Sequence, residues 1–430
     1  MPEEFAPGCP RPAPNPPAGA SRLRSLVPEA VGIRLFRRYL AGLAPLSLGT
    51  WMQLVALGYL TLRVTGSPTA VGLVGAADGI PAIALALPAG AAGDRWPRPA
   101  VLAAASSAMG FISLGLAVAA GTGHASLAVL VLGAILLGSA TAFDAPTRQA
   151  MVADMVPRSQ LLGAVAVTGT VGSLTRILGP AIGGVLLGTA GAAACFAAMA
   201  ALVLPYLLVL ARNRWPAPER RARTGGAMAE LLGGLTWAIR HRTGRSVLAA
   251  GWVLGVLGVG YMPFLPVFAR YHLHGGGQVL GVMYSVGGFG ALAGGVTIGV
   301  LSRRLRRHTL LIAAAPLYGA SLFTLTRVTS LPEAVPCLAG ISLGFLAANS
   351  AMLSTLQAEA PPELRNRVLA LYALGYSGGG PLGSLLYAAL AAETSLFGAI
   401  AAGSVMVGAA LLWCGLGMKL GHRREAPLTS

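Results

Sequence analysis

The sequence predicts an all-α, polytopic membrane protein in which twelve transmembrane helices form two pseudo-symmetric bundles of six. Three observations lead to this fold class. Hydrophobic residues make up 55% of the 430 residues, charged residues make up only 10%, and the mean hydropathy is +0.70. Soluble domains contain about 25% charged residues, so this chain cannot cover itself with a normal water-facing surface. Apolar stretches of helix-spanning length recur between short charged gaps, and one long polar interval divides them six and six.

The twelve spans follow from these apolar stretches, because a helix needs about 20 apolar residues to cross a bilayer. In chain order the predicted spans are 38–62, 69–92, 99–120, 124–148, 161–188, 190–211, 246–269, 277–300, 309–326, 331–353, 364–390 and 392–418.

The remaining segments complete the domain organisation. The first 36 residues contain eight prolines and no apolar core segment, which is typical of a disordered tail and not of a signal peptide. The polar interval includes an amphipathic segment, Met228–Ile239, suited to a helix at the cytoplasmic membrane surface. We therefore expect a Pro-rich tail (1–36), an N-terminal bundle (37–212), a linker (213–243), a C-terminal bundle (244–419) and a second tail (420–430).

Basic residues are concentrated on one side of the predicted bundle. The net charge is +17, and of the 31 Lys and Arg residues only Arg63, Arg270 and Arg327 fall on the other side, with Arg176 inside a span. This asymmetry is the positive-inside rule. It predicts a multi-pass protein of the cytoplasmic membrane with both termini in the cytoplasm. Topology thus explains the charge, and we expect no nucleic-acid partner.

No pattern in the sequence indicates an enzyme, a metal site or a cofactor. The four cysteines are scattered without metal-ligand spacing. The phosphate-binding pattern G-x-x-x-x-G-K-[ST] is absent, which disfavours an ATP-driven pump within this chain. We therefore expect no catalytic residues, no metal and no cofactor, with the proton gradient as the energy source.

The two halves contain a weak internal repeat. The stretch "ADMVPRSQLLGAVA" (Ala153–Ala166) aligns with "AEAPPELRNRVLAL" (Ala358–Leu371), and a Gly-Pro pair follows each of them, at Gly179 and at Gly380. Parallel six-helix repeats occur in transporters that rock around a substrate site near the bilayer midplane. The repeat therefore predicts transport of a small molecule by alternating access.

Four segments of the first half resemble a known family. They are "GTWMQLVALGYL" with "TGSPTAVGLVGA" (Gly49–Ala76), "GAAGDRWPRPAVL" (Gly90–Leu102), "AFDAPTRQAMVADMVPRSQLLGAVAV" (Ala142–Val167) and "RILGPAIGG" (Arg176–Gly184). They are similar to the major facilitator superfamily, and within it to the drug- and siderophore-exporting branch of transmembrane secretion effectors, which includes enterobactin exporters. The resemblance implies the major facilitator fold and efflux of a small amphipathic molecule.

The loop after the second span follows the superfamily pattern G-x-x-x-D-R-x-x-R. The resemblance implies a gate in which Asp94 accepts hydrogen bonds from the N-terminal end of the eleventh span, while Arg95 pairs with Asp144 near the end of the fourth. A helix N-terminus favours a carboxylate, and this lock would hold the outward-open state. The alternative is that the loop charges are solvated and only anchor the topology. The predicted gate residues are Gly90, Asp94, Arg95, Arg98, Asp144 and Arg148.

The fifth span carries the GPxxGG core of a motif common in exporters. Gly179, Pro180, Gly183 and Gly184 are expected to kink this helix and to admit a neighbouring helix closely. The alternative is ordinary glycine and proline packing, which is common in membrane helices.

Asp78 and Arg176 are ionisable residues inside predicted spans. Each would cost several kcal/mol facing lipid, so each is expected to face protein or a water-filled cavity. Arg176 matches an arginine of the family branch and could contact an anionic substrate or pair with Asp78. An apolar environment favours the neutral form of a carboxyl group, so Asp78 is a candidate proton carrier. The alternative is that Asp78 is simply hydrated near the outer interface.

Several polar and aromatic residues within the spans could line a substrate cavity. The alternative for each is ordinary packing or anchoring at the membrane interface. The candidates are Trp51, Gln53, Tyr261, Phe264, Asn349, Tyr372 and Tyr376.

Three functions compete at this point. The first is a monomeric, proton-coupled exporter of a small amphipathic molecule such as a drug, a siderophore or a secondary metabolite. The second is an importer or facilitator on the same fold. The third is a non-transporting membrane sensor or assembly protein, against which the gate motif argues. In each case the lipid bilayer surrounds the chain, and in the first two the partner is a small-molecule substrate.

Overall fold

The computed structural model describes residues 29–216, 227–301 and 304–425, and within them the chain is helical. Most of the predicted N-terminal tail, part of the linker and the last five residues lie outside the described residues. The side chains of Leu87, Asp94 and Ser377, and those of 227–233 and 421–425, also lie outside the description.

The N-terminal bundle consists of seven helices that account for the first six predicted spans. They are α1 (Arg34–Thr65), α2 (Pro68–Ala84), α3 (Ala86–Arg95), α4 (Arg98–Gly121), α5 (Leu127–Met155), α6 (Leu161–Thr189) and α7 (Gly191–Arg212).

The linker contains α8 (Ala227–Arg240), and six further helices form the C-terminal bundle. These are α9 (Arg242–His272, interrupted by π-helical and 3-10 turns), α10 (Gly277–Leu301), α11 (Arg307–Leu325), α12 (Leu331–Glu359), α13 (Arg365–Glu393) and α14, which begins at Leu396. We call the end of the molecule that carries α8 the linker end, and the opposite end, where α1 finishes, the far end.

Ten of the described helices are long and apolar enough to cross a membrane. The second predicted span is divided into α2 and α3 at Leu85, and the eleventh corresponds to α13, whose 29 residues include the polar stretch "GYSGGG". The division at Leu85 has a local cause. Pro88 has no N–H to donate to the carbonyl of Ala84, so the hydrogen-bond ladder is interrupted there.

Small residues let the helices within a bundle approach closely, as is typical of packing in lipid. A side chain at Gly42 of α1 would meet the backbone of Tyr206 in α7, and one at Gly49 would meet Met199 of the same helix. In the C-terminal bundle, Gly344 of α12 packs directly on Tyr318 of α11. Lipid is as apolar as the side chains, so the hydrophobic effect does not drive the helices together. Van der Waals contact between closely packed helices stabilises their association instead.

Contacts of α2 with α13 and of α6 with α10 join the bundles, and α9 also packs on α1 and α2. Gly79 of α2 lies against Pro381 of α13, and Gly184 of α6 lies against Gly277 and Gly281 of α10. The hydroxyl of Ser285 in α10 also donates to the carbonyl oxygen of Ile177 in α6 at 2.8 Å. These contacts lie between the middle of the helices and the far end. The far end is therefore the sealed end of the interface in this structure.

Candidate transport pathway

A cavity of about 220 Å³ lies between the bundles near the middle of the helices. Trp51 of α1 and Arg176 of α6 form its N-terminal wall, and side chains from five helices, α9 to α13, form the rest. Among the described residues that line this cavity, Arg176 is the only charged one. A single cation in an otherwise aromatic and apolar cavity can orient an amphipathic molecule through its polar end.

Arg176 and Trp51 are positioned by the tight packing of α6 on α1. The guanidinium carbon of Arg176 lies over the Trp51 ring, 5.1 Å from its centroid, which is a cation–π geometry. Gly179, one helical turn from Arg176, faces the Cβ atom of Trp51, and a Cβ at position 179 would stand only 2.6 Å from it. The absence of a side chain at Gly179 therefore allows the pair to form.

The C-terminal wall is aromatic, and its hydroxyl groups are largely tied to the protein. The Tyr284 hydroxyl donates to the carbonyl oxygen of Met262 at 3.2 Å, and the Tyr318 hydroxyl donates to the carbonyl oxygen of Gly258. With these hydroxyls tied to the backbone, the faces of the rings remain available for apolar contact.

A second, smaller cavity of about 140 Å³ lies inside the N-terminal bundle between α1, α2, α4 and α5. We call it the Asp78 chamber, because Asp78 is the only titratable residue among the described residues that line it. The amide oxygen of Gln53 also lines the chamber and accepts a hydrogen bond from the Ser113 hydroxyl at 2.6 Å. The backbone oxygen of Asp78 packs directly on Gly138 of α5, which holds α2 tightly against α5.

Arg176 and Asp78 do not form an ion pair in this structure. They line separate cavities, and Trp51 is the residue that the two linings share. The predicted direct partnership of the two charges is therefore not observed, because the Trp51 ring occupies the position beside the guanidinium group.

Five of the seven predicted cavity residues line at least one of the two cavities. Trp51, Tyr261, Asn349 and Tyr376 line the central cavity, whereas Gln53 lines the Asp78 chamber.

Phe264 and Tyr372 are not among the residues that line either cavity, so their assignment to a substrate cavity stays a prediction. Phe264 is fully buried between the bundles, where its ring faces Gly72 of α2. Tyr372 packs on Gly251 of α9, and its hydroxyl donates to Asn349 at 2.7 Å. Residue type alone does not show which face of α9 or α13 turns to the cavity.

The residues of the GPxxGG motif pack α6 between α1 and α10. Gly183 lies against the backbone of Met52 in α1, and Gly184 contacts Gly281 of α10, whose own Cβ position would meet the carbonyl oxygen of Pro180. Because these contacts reach both neighbours of α6, the motif lies at the junction between the two bundles.

The predicted gate residues are arranged differently from the implied lock. The side chain of Asp94 lies outside the described residues, Gly90 is half-buried in α3, and Arg95 is exposed. Arg98 forms an ion pair with Asp154 at the end of α5.

Asp144 pairs with Arg148 and not with Arg95, which corrects the predicted pairing. The two charged atoms are 2.8 Å apart, one helical turn along α5, and the Asp144 side chain is 3% exposed. Two causes explain why Asp144 pairs with Arg148. Arg148 is on the same helix, four residues away, and the implied lock belongs to a state in which the far end is open. Here the far end is sealed.

The N-terminal end of α13, the implied partner of Asp94, is in contact with the linker helix. A side chain at Gly234 of α8 would meet Arg367 and Val368 at the start of α13. Thus α8 lies at the helix end to which the gate loop was expected to bind.

Sequence reasoning missed most of the C-terminal wall. Tyr284, Gly287, Gly288 and Ala291 of α10 line the cavity, and their spacing of three, four and seven residues puts them on one face of a helix. Helical steps of four, seven, eight and eleven residues back from Asn349 on α12 lead to further missed residues of the wall. These are Phe345, Ser342, Ile341 and Leu338.

Curated relatives with assigned functions are exporters or transporters of small molecules. The multidrug efflux pump Tap of Mycolicibacterium fortuitum is 27% identical over 81% of this chain and 87% of its own length. The enterobactin exporter EntS of Citrobacter koseri is 24% identical over 81% of this chain and 82% of its own length. The staphyloferrin A transporter of Staphylococcus aureus is also 24% identical, but the match spans only 56% of this chain and 62% of that relative.

Solved structures with the same fold include transporters of other substrates. A variant of the nucleoside transporter NupG superposes with a TM-score of 0.76 and 14% identity, over 89% of this chain and all of that one. A D-xylose-proton symporter superposes with a TM-score of 0.66 and 15% identity, over 88% of this chain and 97% of that one. At these identities the likeness shows the fold alone.

The sequence profile of the transmembrane secretion effectors matches residues 32–426, which includes both bundles and the linker. The fold, the cavity between the bundles that Arg176 lines and the curated relatives agree with that match. The chain therefore belongs to the transmembrane secretion effector family, a branch of the major facilitator superfamily of transporters, which are not enzymes.

Proposed function

We propose that this protein is a secondary active transporter that couples proton entry to efflux of a small amphipathic molecule by alternating access. The observation that carries the proposal is the pairing of two cavities. In the part of the chain that the structure describes, the cavity between the bundles is lined by one charged residue, Arg176, and the other cavity by one titratable residue, Asp78. A substrate site and a separate proton site are the two parts that such an antiporter needs.

Alternating access is supported by the one-sided seal between the bundles. The contacts of Gly79 with Pro381 and of Gly184 with Gly281 lie in the middle and far portions of the helices. If the linker end is cytoplasmic, as the basic residues predict, this is the inward-facing state. Rocking the bundles would then break these glycine contacts and open the central cavity to the outside.

A proton fits the Asp78 chamber better than a metal cation does. Ca²⁺ takes six to eight oxygen ligands, and Mg²⁺ takes six, several of them water. The chamber offers one carboxylate, two threonine hydroxyls and one amide oxygen, and Leu54, Leu57, Met109 and Leu137 line much of the rest. A carboxyl group in such surroundings can carry a proton without any further ligand.

The lining of the central cavity favours a cargo with an anionic group on an aromatic or apolar body. Arg176 would bind the anionic group, and the rings of Tyr261, Tyr284 and Phe345 would contact the body. Tap and EntS, which are described as exporters of drugs and of enterobactin, support efflux as the direction. The second candidate is import, which the fold shared with the D-xylose-proton symporter favours.

Replacing Asp78 by asparagine is expected to abolish the dependence of transport on a pH gradient, because the amide cannot carry the proton. The measurement uses inside-out membrane vesicles, an imposed pH gradient and three fluorescent amphipathic probes that are anionic, neutral and cationic. Glu393→Gln is the matched control, since Glu393 is an exposed carboxylate at the far end of α13. It is expected to transport like the wild type.

Unchanged gradient-driven transport in Asp78→Asn would remove Asp78 as the coupling residue. The direction of probe movement in the same vesicles separates efflux from import. Accumulation inside the inverted vesicles when their interior is acidic supports proton-coupled efflux. Loss of preloaded probe under that gradient would support import.

A further inference from the structure

The inference concerns the wall between the two cavities and rests on the proposed function. We propose that Trp51 is the partition between the Asp78 chamber and the central cavity, and that a cargo molecule bound at Arg176 opens this partition. Protons would then exchange between Asp78 and water in the central cavity only while cargo is bound.

The position of Trp51 is the first argument. It is the residue common to the linings of the two cavities. Its Cβ atom is held against Gly179 of α6, so the stem of the side chain is fixed while the ring lies between two spaces. A ring with open volume on either side has room to turn, which a close-packed core residue lacks.

The contact with Arg176 is the second argument. The guanidinium carbon lies 5.1 Å from the centroid of the Trp51 ring, and Arg176 is the only charged residue among the described ones that line the central cavity. An anionic group that binds Arg176 competes with the ring for the same cation. Binding of such a cargo therefore withdraws the group that stabilises Trp51 in its present position, and the ring becomes free to turn.

The isolation of Asp78 is the third argument. The residues that face it across the chamber come from α1, α4 and α5, namely Thr50 and Gln53, Met109, and Leu137 and Thr141. None of these is titratable, and Arg176, which lines the neighbouring cavity, lies over the ring of Trp51, the residue that both linings share. None of these facing residues can take up the proton of Asp78, so we propose that the proton passes to water that enters past the Trp51 ring.

An antiporter needs such a device, because protons that cross without cargo dissipate the gradient. If the partition is closed without cargo, carboxyl protonation and cargo binding become linked events at two sites. Coupling then arises from one aromatic side chain and does not require contact between cargo and Asp78.

The experiment measures proton flux without any cargo. The full-length protein is reconstituted into liposomes that contain a pH-sensitive dye, and a pH gradient is imposed with a potassium–valinomycin clamp. If minor states are populated at roughly 10% or less, a permanently open partition should raise cargo-free proton flux roughly tenfold in Trp51→Ala. Trp51→Phe retains a ring and is expected to stay close to the wild type.

Two further variants test the route. Leu54→Ala enlarges the Asp78 chamber but does not touch the central cavity, so its cargo-free flux should equal that of the wild type. The double variant Trp51→Ala/Asp78→Asn should return the flux to the wild-type level, because the proton then has no carrier.

The outcomes separate this inference from the proposed function. The partition is refuted if Trp51→Ala, recovered as a folded monodisperse protein, shows no increase, or if the increase persists in the double variant. The partition is also refuted if cargo-free proton flux rises as much in Leu54→Ala as in Trp51→Ala. Any enlargement of the Asp78 chamber would then be enough to cause the proton leak. If Asp78→Asn abolishes gradient-driven transport while the cargo-free proton flux of Trp51→Ala equals that of the wild type, the proposed function stands and only the partition fails.

Discussion

Replacing Gly184 by valine is expected to slow transport by roughly 5- to 150-fold, the range that corresponds to an overpacking cost of about 1–3 kcal/mol. A Cβ at position 184 would stand 2.7 Å from the carbonyl oxygen of Gly277 and 2.7 Å from the Cα atom of Gly281. Both are backbone atoms of α10, so no side-chain rotation relieves the clash. The penalty falls only on the state in which α6 and α10 touch, and the protein would be driven away from the far-end-sealed state.

Two measurements check this result. Transport of the fluorescent probes gives the loss of rate. Labelling of Leu187→Cys by a membrane-impermeant thiol reagent gives the opening of the seal, because Leu187 is 5% exposed and packs on Gly277. Leu187→Cys should be labelled from the far side more rapidly in the Gly184→Val background than in the wild-type background.

Gly172→Val is the matched control for this prediction. It makes the same change of residue on the same helix, but a Cβ at position 172 meets nothing within 4 Å. The cost of valine in a helix is therefore common to both variants, and only the contact with α10 differs. Equal losses in Gly184→Val and Gly172→Val would show that helix propensity, and not closure of the bundles, explains the effect.

Replacing Arg148 by methionine is expected to destabilise the fold by about 3–5 kcal/mol, because it leaves the Asp144 carboxylate buried and unpaired. The side chain of Asp144 is 3% exposed, and its other oxygen, Oδ1, already lacks a hydrogen-bond partner within the described residues. The Arg148 side chain is 28% exposed, so in Asp144→Leu the guanidinium group of Arg148 can reorient towards the surface. Asp144→Leu should therefore cost less than Arg148→Met.

The double variant Asp144→Leu/Arg148→Met completes the cycle. It removes both charges and is expected to be more stable than Arg148→Met, since apolar replacement of a buried pair is often neutral or stabilising. Stability is read as unfolding in mild detergent, followed by circular dichroism. Arg38→Met is the control, because Arg38 makes an exposed hydrogen bond to Asn213 and should change stability by no more than about 0.5 kcal/mol. The prediction would be contradicted if Arg148→Met lost no more stability than Arg38→Met.

Most of the architecture could be predicted because lipid imposes a simple rule on the chain. Every backbone polar group in a span must be bonded within its own helix, so hydropathy alone indicates where helices run. The division of the second span shows the limit of that rule. Pro81 and Pro88 both lie in the predicted span, yet α2 continues through Pro81 and ends at Ala84. Hydropathy cannot distinguish a tolerated proline from an interrupting one.

The gate shows a different limit. A pairing of Arg95 with Asp144 was expected from the family pattern, but Asp144 has a second cation, Arg148, one turn away on its own helix. Which arginine pairs with Asp144 depends on how α3 and α5 lie in a given state. A single sequence encodes both states, and the structure has the arrangement with the far end sealed.

Some of the cavity residues could be recognised from the sequence, and others could not. Arg176 and Asp78 were recognised from the cost of charge in a bilayer, which depends only on residue type and depth. Phe264 and Tyr372 were assigned to the cavity from residue type, yet both are packed elsewhere. Tyr284 and Phe345 are in the lining and could have been found from their helical faces, but only once one residue on each face was known.

Thus composition and hydropathy were enough for the membrane class and the order of the helices, and the resemblance to the exporter motif singled out Gly179 and Gly184 as sites of close packing. These properties are local, since each depends on one segment and on the surrounding lipid. The tertiary structure was needed to show that Trp51 separates Arg176 from Asp78, and that Asp144 is bound to Arg148. Such relations join residues from different helices or choose between rival partners, and they depend on how whole helices rotate and pack, which no single stretch of sequence specifies.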